Sequence, residues 1–327
     1  MLNLFIVSNS SESNSLIVDM AHPSSPDSLI ILLIALIVGA VIPFAVLFLV
    51  RNFGNTVRTR ADLGRLSISF LVEIPVMPDR RHWKRLPYAR KPQKEDGKST
   101  IVVQHGSRDA VNEAFRVLRT NLNFMVAKDE KTKVFQMSSF NPGSGKTFIT
   151  LNIAASYALT GAKVLILDLD LRKGMIGKNL KLHNEGLPMY LSGNVTDIHD
   201  ITVKVSENMY VIPSGILPPN PSELLLTERF RKLISDLREE YDYVFLDCPP
   251  VDIVADTAII AGVADMTVFV ARAGLLDKRA LPLVSKIVEG GIYPRLSLIL
   301  NCTESELVRY GYGRYEYGYG YGYNDGK

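Results

Sequence analysis

The longest apolar run of the chain is Leu29–Val50, 22 residues without a charge. At about 1.5 Å per residue, a helix of that length measures about 33 Å, enough to cross a hydrocarbon core of roughly 30 Å. Gly39 and Pro43 within it are tolerated in lipid-spanning helices. Further on, Asp109–Phe124 reads as a helix, with Ala114, Val117, Leu118 and Leu122, and Met125 just beyond, at helical spacing. Glu113, Arg116 and Arg119, three apart, share another face of that helix. From Val134 the pattern alternates. Val134–Ser138, Lys163–Leu169, Met209–Pro213, Tyr243–Leu246, Met266–Ala271 and Leu296–Leu300 read as strands, several of them apolar throughout, as buried parallel strands are. Between them, Lys146–Thr160 reads as a helix ended by Gly161, and Asp277–Glu289 as one ended by Gly290-Gly291. A helix opens at Asn220, with Pro221 in its first turn, Glu223 reaching back to form a capping box, and Leu226, Phe230, Leu233 and Leu237 as its apolar stripe. Strands alternating with helices predict a parallel α/β sheet flanked by helices, with ligands at the carboxyl ends of the strands.

Charge refines this picture. The formal charge of +3 over 327 residues hides an uneven distribution. Residues 51–100 carry 12 Lys and Arg against 5 Asp and Glu, whereas residues 1–28 carry only Glu12, Asp19 and Asp27. Arg51, Arg58, Arg60 and Arg65 follow the apolar run and nothing basic precedes it, so the positive-inside rule places the C-terminal side in the cytoplasm. The basic stretch Asp79–Lys94, with Trp83 and Tyr88, suits either an anionic membrane face or a solvated linker. The rest of the chain is near neutral, which gives no argument for nucleic acid as a partner. Residues 1–28 lack the charged start of a signal peptide. Two cysteines, Cys248 and Cys302, set far apart, point to a reducing compartment and to neither a disulfide framework nor a metal cage.

Candidate chemistry gathers at three strand ends. After the first strand comes Gly143-Ser144-Gly145-Lys146-Thr147, the core of a phosphate-binding loop. Its glycines let backbone N–H groups turn toward an anion, Lys146 reaches the β- and γ-phosphates, and the Thr147 hydroxyl holds Mg²⁺. Phe140 stands where the usual spacing has a first glycine. The second strand ends in Asp168-Leu169-Asp170-Leu171-Arg172, the third in Asp247-Cys248-Pro249-Pro250. Carboxylates closing apolar strands call for a cation to offset them. Asp247 suits a metal-holding aspartate, Asp170 a metal contact, and Asp168 a general base. No His-Arg-Asp or Asp-Phe-Gly sequence of eukaryotic protein kinases is present. The tail carries Tyr310, Tyr312, Tyr315, Tyr317, Tyr319, Tyr321 and Tyr323, half of the chain's 14 tyrosines, interleaved with glycine. Its composition predicts disorder, and its tyrosines are accessible acceptors for a phosphoryl group.

Together these motifs resemble the cytoplasmic half of a bacterial tyrosine kinase of the polysaccharide co-polymerase type. The resemblance rests on Glu113-x-x-Arg116-x-x-Arg119, Ser138–Thr147, Asp168-x-Asp170-x-Arg172-Lys173, Pro218–Leu225, Asp247-x-Pro249-Pro250 and the tyrosine cluster, with Leu71–Pro75 similar to the family's juxtamembrane motif. It implies a P-loop NTPase-type fold and an ATP- and Mg²⁺-dependent protein-tyrosine autokinase. The catalytic residues are then Lys146, Asp168, Asp170 and Arg172, the nucleotide loop Gly143–Thr147, and the metal contacts Thr147, Asp170 and Asp247. Glu113, Arg116 and Arg119 help to build a ring of subunits, and the tail is phosphorylated by a neighbour. A cognate tyrosine phosphatase and polysaccharide export machinery are the implied partners, and the bacterial inner membrane the implied location. The expected organisation is an extracytoplasmic stub at 1–28, a transmembrane helix at 29–50, a basic linker at 51–100, a kinase domain at 101–305 and the tail at 306–327. The family's first span and most of its extracytoplasmic domain have no counterpart, so the chain is expected to be a C-terminal piece or a truncated reading frame. Cys248 replaces the family's usual threonine. The alternatives are a Min/Par-like membrane-associated ATPase, whose signature lysine would fall where Asn141 stands, and a non-enzymatic scaffold.

Overall fold

The computed structural model describes residues 28–52, 55–64, 66–77, 100–126, 133–182, 185–251 and 256–304. Residues 1–27 of the expected stub, the basic stretch around Trp83, and the tyrosine tail lie outside the described residues. Two compact units divide the chain, Met1–Gly54 and Asn55–Lys327. In the first, helix α1 spans Ser28–Asn52 with Pro43 inside it. Its apolar side chains from Leu29 to Val46 are exposed, and it is long and apolar enough to cross a membrane.

The second unit is built on one eight-stranded sheet. In chain order the strands are β1 (Ser69–Pro75), β2 (Lys133–Ser139), β3 (Val164–Asp168), β4 (Val203–Ser206), β5 (Met209–Ile212), β6 (Tyr243–Asp247), β7 (Met266–Arg272) and β8 (Ser297–Thr303). Their order across the sheet is β1-β8-β7-β2-β6-β3-β5-β4. Every pairing is parallel except β4 with β5 at one edge.

Both faces of the central strands are buried, which is why they read as continuous apolar runs. Successive side chains alternate between faces. Phe135, Met137, Ile166 and Phe245 pack on one side, beneath α2 (Ala110–Met125) and α3 (Lys146–Ala158), with Phe115, Leu118 and Tyr157. Val134, Leu165, Leu167, Val244 and Leu246 face the other side, where α7 (Glu228–Glu240) buries Phe230, Leu233 and Leu237. Over β7 and β8, the same face is closed by Val57, Leu63 and Leu66 and by Val284 of α9 (Leu281–Glu289). Gln136, a buried polar side chain of β2, is paired at both its amide nitrogen and its amide oxygen. It donates to the Thr257 carbonyl at 2.6 Å and accepts from the Thr267 hydroxyl at 3.0 Å. Helices α4 (Met175–Leu180), α5 (Leu187–Leu191) and α8 (Asp256–Ala261) complete the unit.

Several elements differ from expectation. Strand β1 lies within residues 51–100, where a linker was expected. It pairs with β8, and Asn121 donates to its Leu71 carbonyl at 2.7 Å. Strand β4 was not anticipated. The single helix expected from Asn220 is two, α6 (Pro221–Leu226) and α7, separated at Thr227. Thr227 has extended backbone, and its hydroxyl accepts from the Phe230 N–H at 3.3 Å, so it caps α7. Leu226, expected in the apolar stripe, is therefore exposed. The expected capping box is absent too: the Asn220 amide donates to the Glu223 carboxylate at 2.6 Å and caps no backbone N–H.

Candidate functional site

The sheet order brings the three candidate strand ends together. β6 lies between β2 and β3, with Met137 and Asp168 each in register with Asp247. The loop leaving β2 therefore sits beside both aspartate-bearing ends. Gly143 and Gly145 take positive φ of 77° and 90°, and α3 begins at Lys146. The Ser144 hydroxyl donates to the Asn141 carbonyl at 2.8 Å, closing the turn. Phe140 does not enter the loop. Its ring turns into the core and meets Phe269 edge-on with centroids 4.8 Å apart, so the first-glycine position has become a core anchor.

Lys146 is buried, and its ammonium lies 3.4 Å from the Asp170 carboxylate and 3.5 Å from that of Asp247. Asp247 accepts from the Thr147 hydroxyl at 2.7 Å and from the Thr150 hydroxyl at 3.1 Å. One oxygen of Asp170 accepts from the Lys173 N–H at 3.3 Å. Asp168 is fully buried. Its Oδ2 accepts from the Ile176 N–H at 3.1 Å, and its Oδ1 has no partner. Burial, reinforced by the neighbouring Asp247, pushes the Asp168 carboxyl up to about 7. Burial also raises Asp247, against the pull of Lys146 and the two threonine hydroxyls. Lys146 is buried as well, yet Asp247, Asp170 and Asp168 hold its pKa above the ordinary lysine value. One ammonium shared in this cluster keeps its own proton without offsetting the burial of Asp168 and Asp247. Cys248 is raised by burial and is a neutral thiol at physiological pH.

This donor set fits a hard divalent cation. Three carboxylates facing one ammonium leave an excess of negative charge, and Asp168 Oδ1 is an orphaned oxygen. No three acidic, histidine or cysteine side chains among the described residues form a ready-made cage. Mg²⁺ is commonly held by one or two carboxylates with phosphate and water completing its shell, so such a cage is not required.

Arg172 stands apart from the cluster. Half exposed, it lies 3.7 Å from the buried Asp256 and 3.3 Å from the Ser222 hydroxyl of α6. Glu113, Arg116 and Arg119 do share a face of α2, but with partners inside the chain. Arg116 pairs with Glu113 at 2.8 Å and also donates to the Ser107 carbonyl. Arg119 donates to the Ser156 carbonyl and to its hydroxyl, tying α2 to α3. The seven tail tyrosines lie outside the described residues. Sequence reasoning missed Thr150, which lies one turn beyond Lys146 and offers its hydroxyl to both the Lys146 carbonyl and Asp247. Its i+4 spacing from Lys146 was the available signal.

The AAA domain family model matches residues 132–278. Over 275 residues the chain is 33% identical to a putative tyrosine-protein kinase in the cps region of Klebsiella pneumoniae, covering 82% of this chain and 38% of that protein. It is 34% identical over 202 residues to the tyrosine-protein kinase CpsD of Streptococcus agalactiae, covering 61% of this chain and 86% of that one. The kinase domain of the Escherichia coli tyrosine kinase ETK superposes with a TM-score of 0.66 at 30% identity, covering 80% of this chain and the whole of that domain. The chain thus spans most of the streptococcal protein but well under half of the Klebsiella one.

Proposed function

Because the chain belongs to the bacterial tyrosine-protein kinase family, we propose that it is an ATP-dependent autokinase that phosphorylates the tail tyrosines of neighbouring copies of itself. The observation that carries this reading is Asp168: a buried carboxylate with a free oxygen, its pKa raised to about 7, beside the Lys146 loop. A phenol has a pKa near 10 and needs a base during transfer. An aspartate of ordinary pKa would be a weak acceptor; one near 7 is matched to the task.

In this reading Lys146 and the loop N–H groups bind the phosphates of ATP. Thr147, Asp170 and Asp247 would hold Mg²⁺, which would supply positive charge to offset that of the phosphates. A tail tyrosine oxygen bonds to the γ-phosphorus as the bond from that phosphorus to the β,γ-bridging oxygen breaks. ADP leaves with the electron pair, and the phenol proton passes to Asp168. Arg172, kept at the rim by Asp256 and Ser222, meets the transferred phosphoryl group. Glu113, Arg116 and Arg119 contribute to a ring that presents one subunit's tail to the next. Helix α1 anchors the chain in the inner membrane with the kinase unit in the cytoplasm. Each phosphotyrosine adds about −1.5 to −2 charges, so a heavily modified tail leaves the acidic site and repels its neighbours. Phosphorylation then favours subunit separation, and a cognate phosphatase restores assembly, in service of polysaccharide synthesis and export.

The test mixes two variants, Lys146→Met with its tail intact and an otherwise unaltered chain truncated after Val308. Phosphotyrosine on the tail of the Lys146→Met partner supports transfer between subunits. Its absence there, with labelling only where one chain carries both loop and tail, would overturn it.

A further inference from the structure

The phosphate loop is held from behind by two side chains of neighbouring strands. Arg272 ends β7, and its Nη1 donates to the Gly143 carbonyl at 3.0 Å. Asn301 lies in β8, and its Nδ2 donates to the Ser144 carbonyl at 2.9 Å. In a planar trans peptide the carbonyl and the following N–H point in opposite directions. Fixing the Gly143 carbonyl therefore fixes the direction of the Ser144 N–H, and fixing the Ser144 carbonyl does the same for the Gly145 N–H. Neither N–H has an acceptor among the described residues.

Glycine-rich backbone does not hold such an orientation unaided, because glycine populates many conformations. Asn301 is itself fixed. It is buried, and its Oδ1 accepts from the Cys302 N–H at 2.8 Å. Cys302 takes a left-handed φ of 58°, uncommon for a residue with a Cβ and a conformation that persists where the surroundings impose it. The Asn301 amide also fills the space against the loop: a Cβ on Gly145 would lie 2.3 Å from its Nδ2. The glycine at 145 thus serves both its positive φ and the approach of Asn301.

We propose that Arg272 and Asn301 are positioning residues of the nucleotide site, holding two loop carbonyls outward so that the Ser144 and Gly145 N–H groups are aimed at phosphate before nucleotide arrives. The inference rests on the nucleotide-binding reading of the loop. Preorganised donors need not be ordered on binding, so loss of a brace falls mainly on nucleotide affinity and less on turnover at saturation. Loss of one hydrogen bond of this kind corresponds to a fall of up to about tenfold in affinity.

The test titrates a fluorescent ADP into the full chain in detergent, for the unaltered protein and for Arg272→Met, Arg272→Lys, Asn301→Ala and Asn301→Asp. Arg272→Met and Asn301→Ala are expected to raise the dissociation constant by roughly five- to tenfold. Asn301→Asp, which sets a carboxylate acceptor against a carbonyl, should raise it at least as far, and Arg272→Lys should recover part of the loss. Because Arg272 is exposed, the melting temperature of nucleotide-free Arg272→Met should stay within about 2 °C of the unaltered chain. A purely structural role would instead lower the melting temperature and leave affinity unmoved. ADP binding as tight in Arg272→Met as in the unaltered chain overturns the inference, whatever the folding of the Asn301 variants. Failure of the unaltered chain to bind ADP overturns the nucleotide reading, and the brace with it.

Discussion

Asp168→Asn should move stability and activity in opposite directions. The substitution keeps shape and keeps an oxygen for the Ile176 N–H, but removes the buried charge and the proposed base. In the fold the carboxyl is raised from 3.8 to about 7, while the unfolded chain keeps the ordinary value. Below about pH 4 the group is protonated in both states and contributes no difference. As pH rises from 4 to 7, the unfolded chain releases the proton and the fold retains it, so stability falls across this window and levels off above it. At about 1.4 kcal/mol per pKa unit, the full penalty is at most on the order of 4 kcal/mol, since the asparagine brings its own amide to satisfy. Thermal melts of chelator-treated protein from pH 4 to 8 provide the assay. Asp168→Asn should melt close to the unaltered chain at pH 4 and several degrees above it at pH 8. Tyrosine phosphorylation at saturating ATP should fall about 10²- to 10⁴-fold, the usual worth of a general base. A stability gap that does not grow with pH would refute the buried-charge argument. Near-normal phosphorylation would move the base elsewhere, with Asp170 the next candidate.

Lys146→Met should abolish phosphotyrosine formation by the variant alone. It should also destabilise the nucleotide-free fold by about 3 kcal/mol at pH 8, and by less at pH 5, because the buried carboxylates lose their cation and then take up protons. Arg116→Ala with Arg119→Ala should reduce assembly size in light scattering and tail labelling together. A drop in melting temperature alone would confine these arginines to the Ser107 and Ser156 contacts. Asp62 is pushed up by burial but more strongly down by Lys278, 2.7 Å away, and by the Arg58 and Thr59 N–H groups, to about 2. Its contribution is present above about pH 4 and lost as pH falls through 2, so Asp62→Asn should flatten the acid limb of unfolding in that window.

Much of this molecule was legible because its chemistry is local. β3 and β6 are apolar runs ended by Asp168 and Asp247, and a parallel sheet that sets β6 beside β2 and β3 beside β6 aligns both with the Lys146 loop. Helix identity was legible for the same reason, as the 3.6-residue period of α2 shows. The break at Thr227 was hidden because Leu226, Phe230, Leu233 and Leu237 keep helical spacing across it. The local signal was Thr227 followed by Glu228, a cap and an acidic first turn. β1 was hidden because seven residues beside a basic stretch carry no sign of an edge partner more than 200 positions away. The contacts of Arg172 with Asp256 and of Asn301 with Ser144 join distant segments, and nothing in either neighbourhood foretells them. Phe140 is the instructive case: a departure from the loop pattern at the sequence level becomes, in the fold, a ring packed on Phe269.

The proposed function stands on transfer of phosphate to tyrosine at the ends of β2, β3 and β6. Incubation of the full chain with γ-phosphate-labelled ATP and Mg²⁺, followed by mass spectrometry of residues 306–327, tests it most directly. Phosphotyrosine is expected among Tyr310, Tyr312, Tyr315, Tyr317, Tyr319, Tyr321 and Tyr323, and none from Lys146→Met incubated alone. Free phosphate without phosphotyrosine would make the chain a membrane-associated ATPase, and neither product would make it a scaffold; either result would overturn the kinase reading.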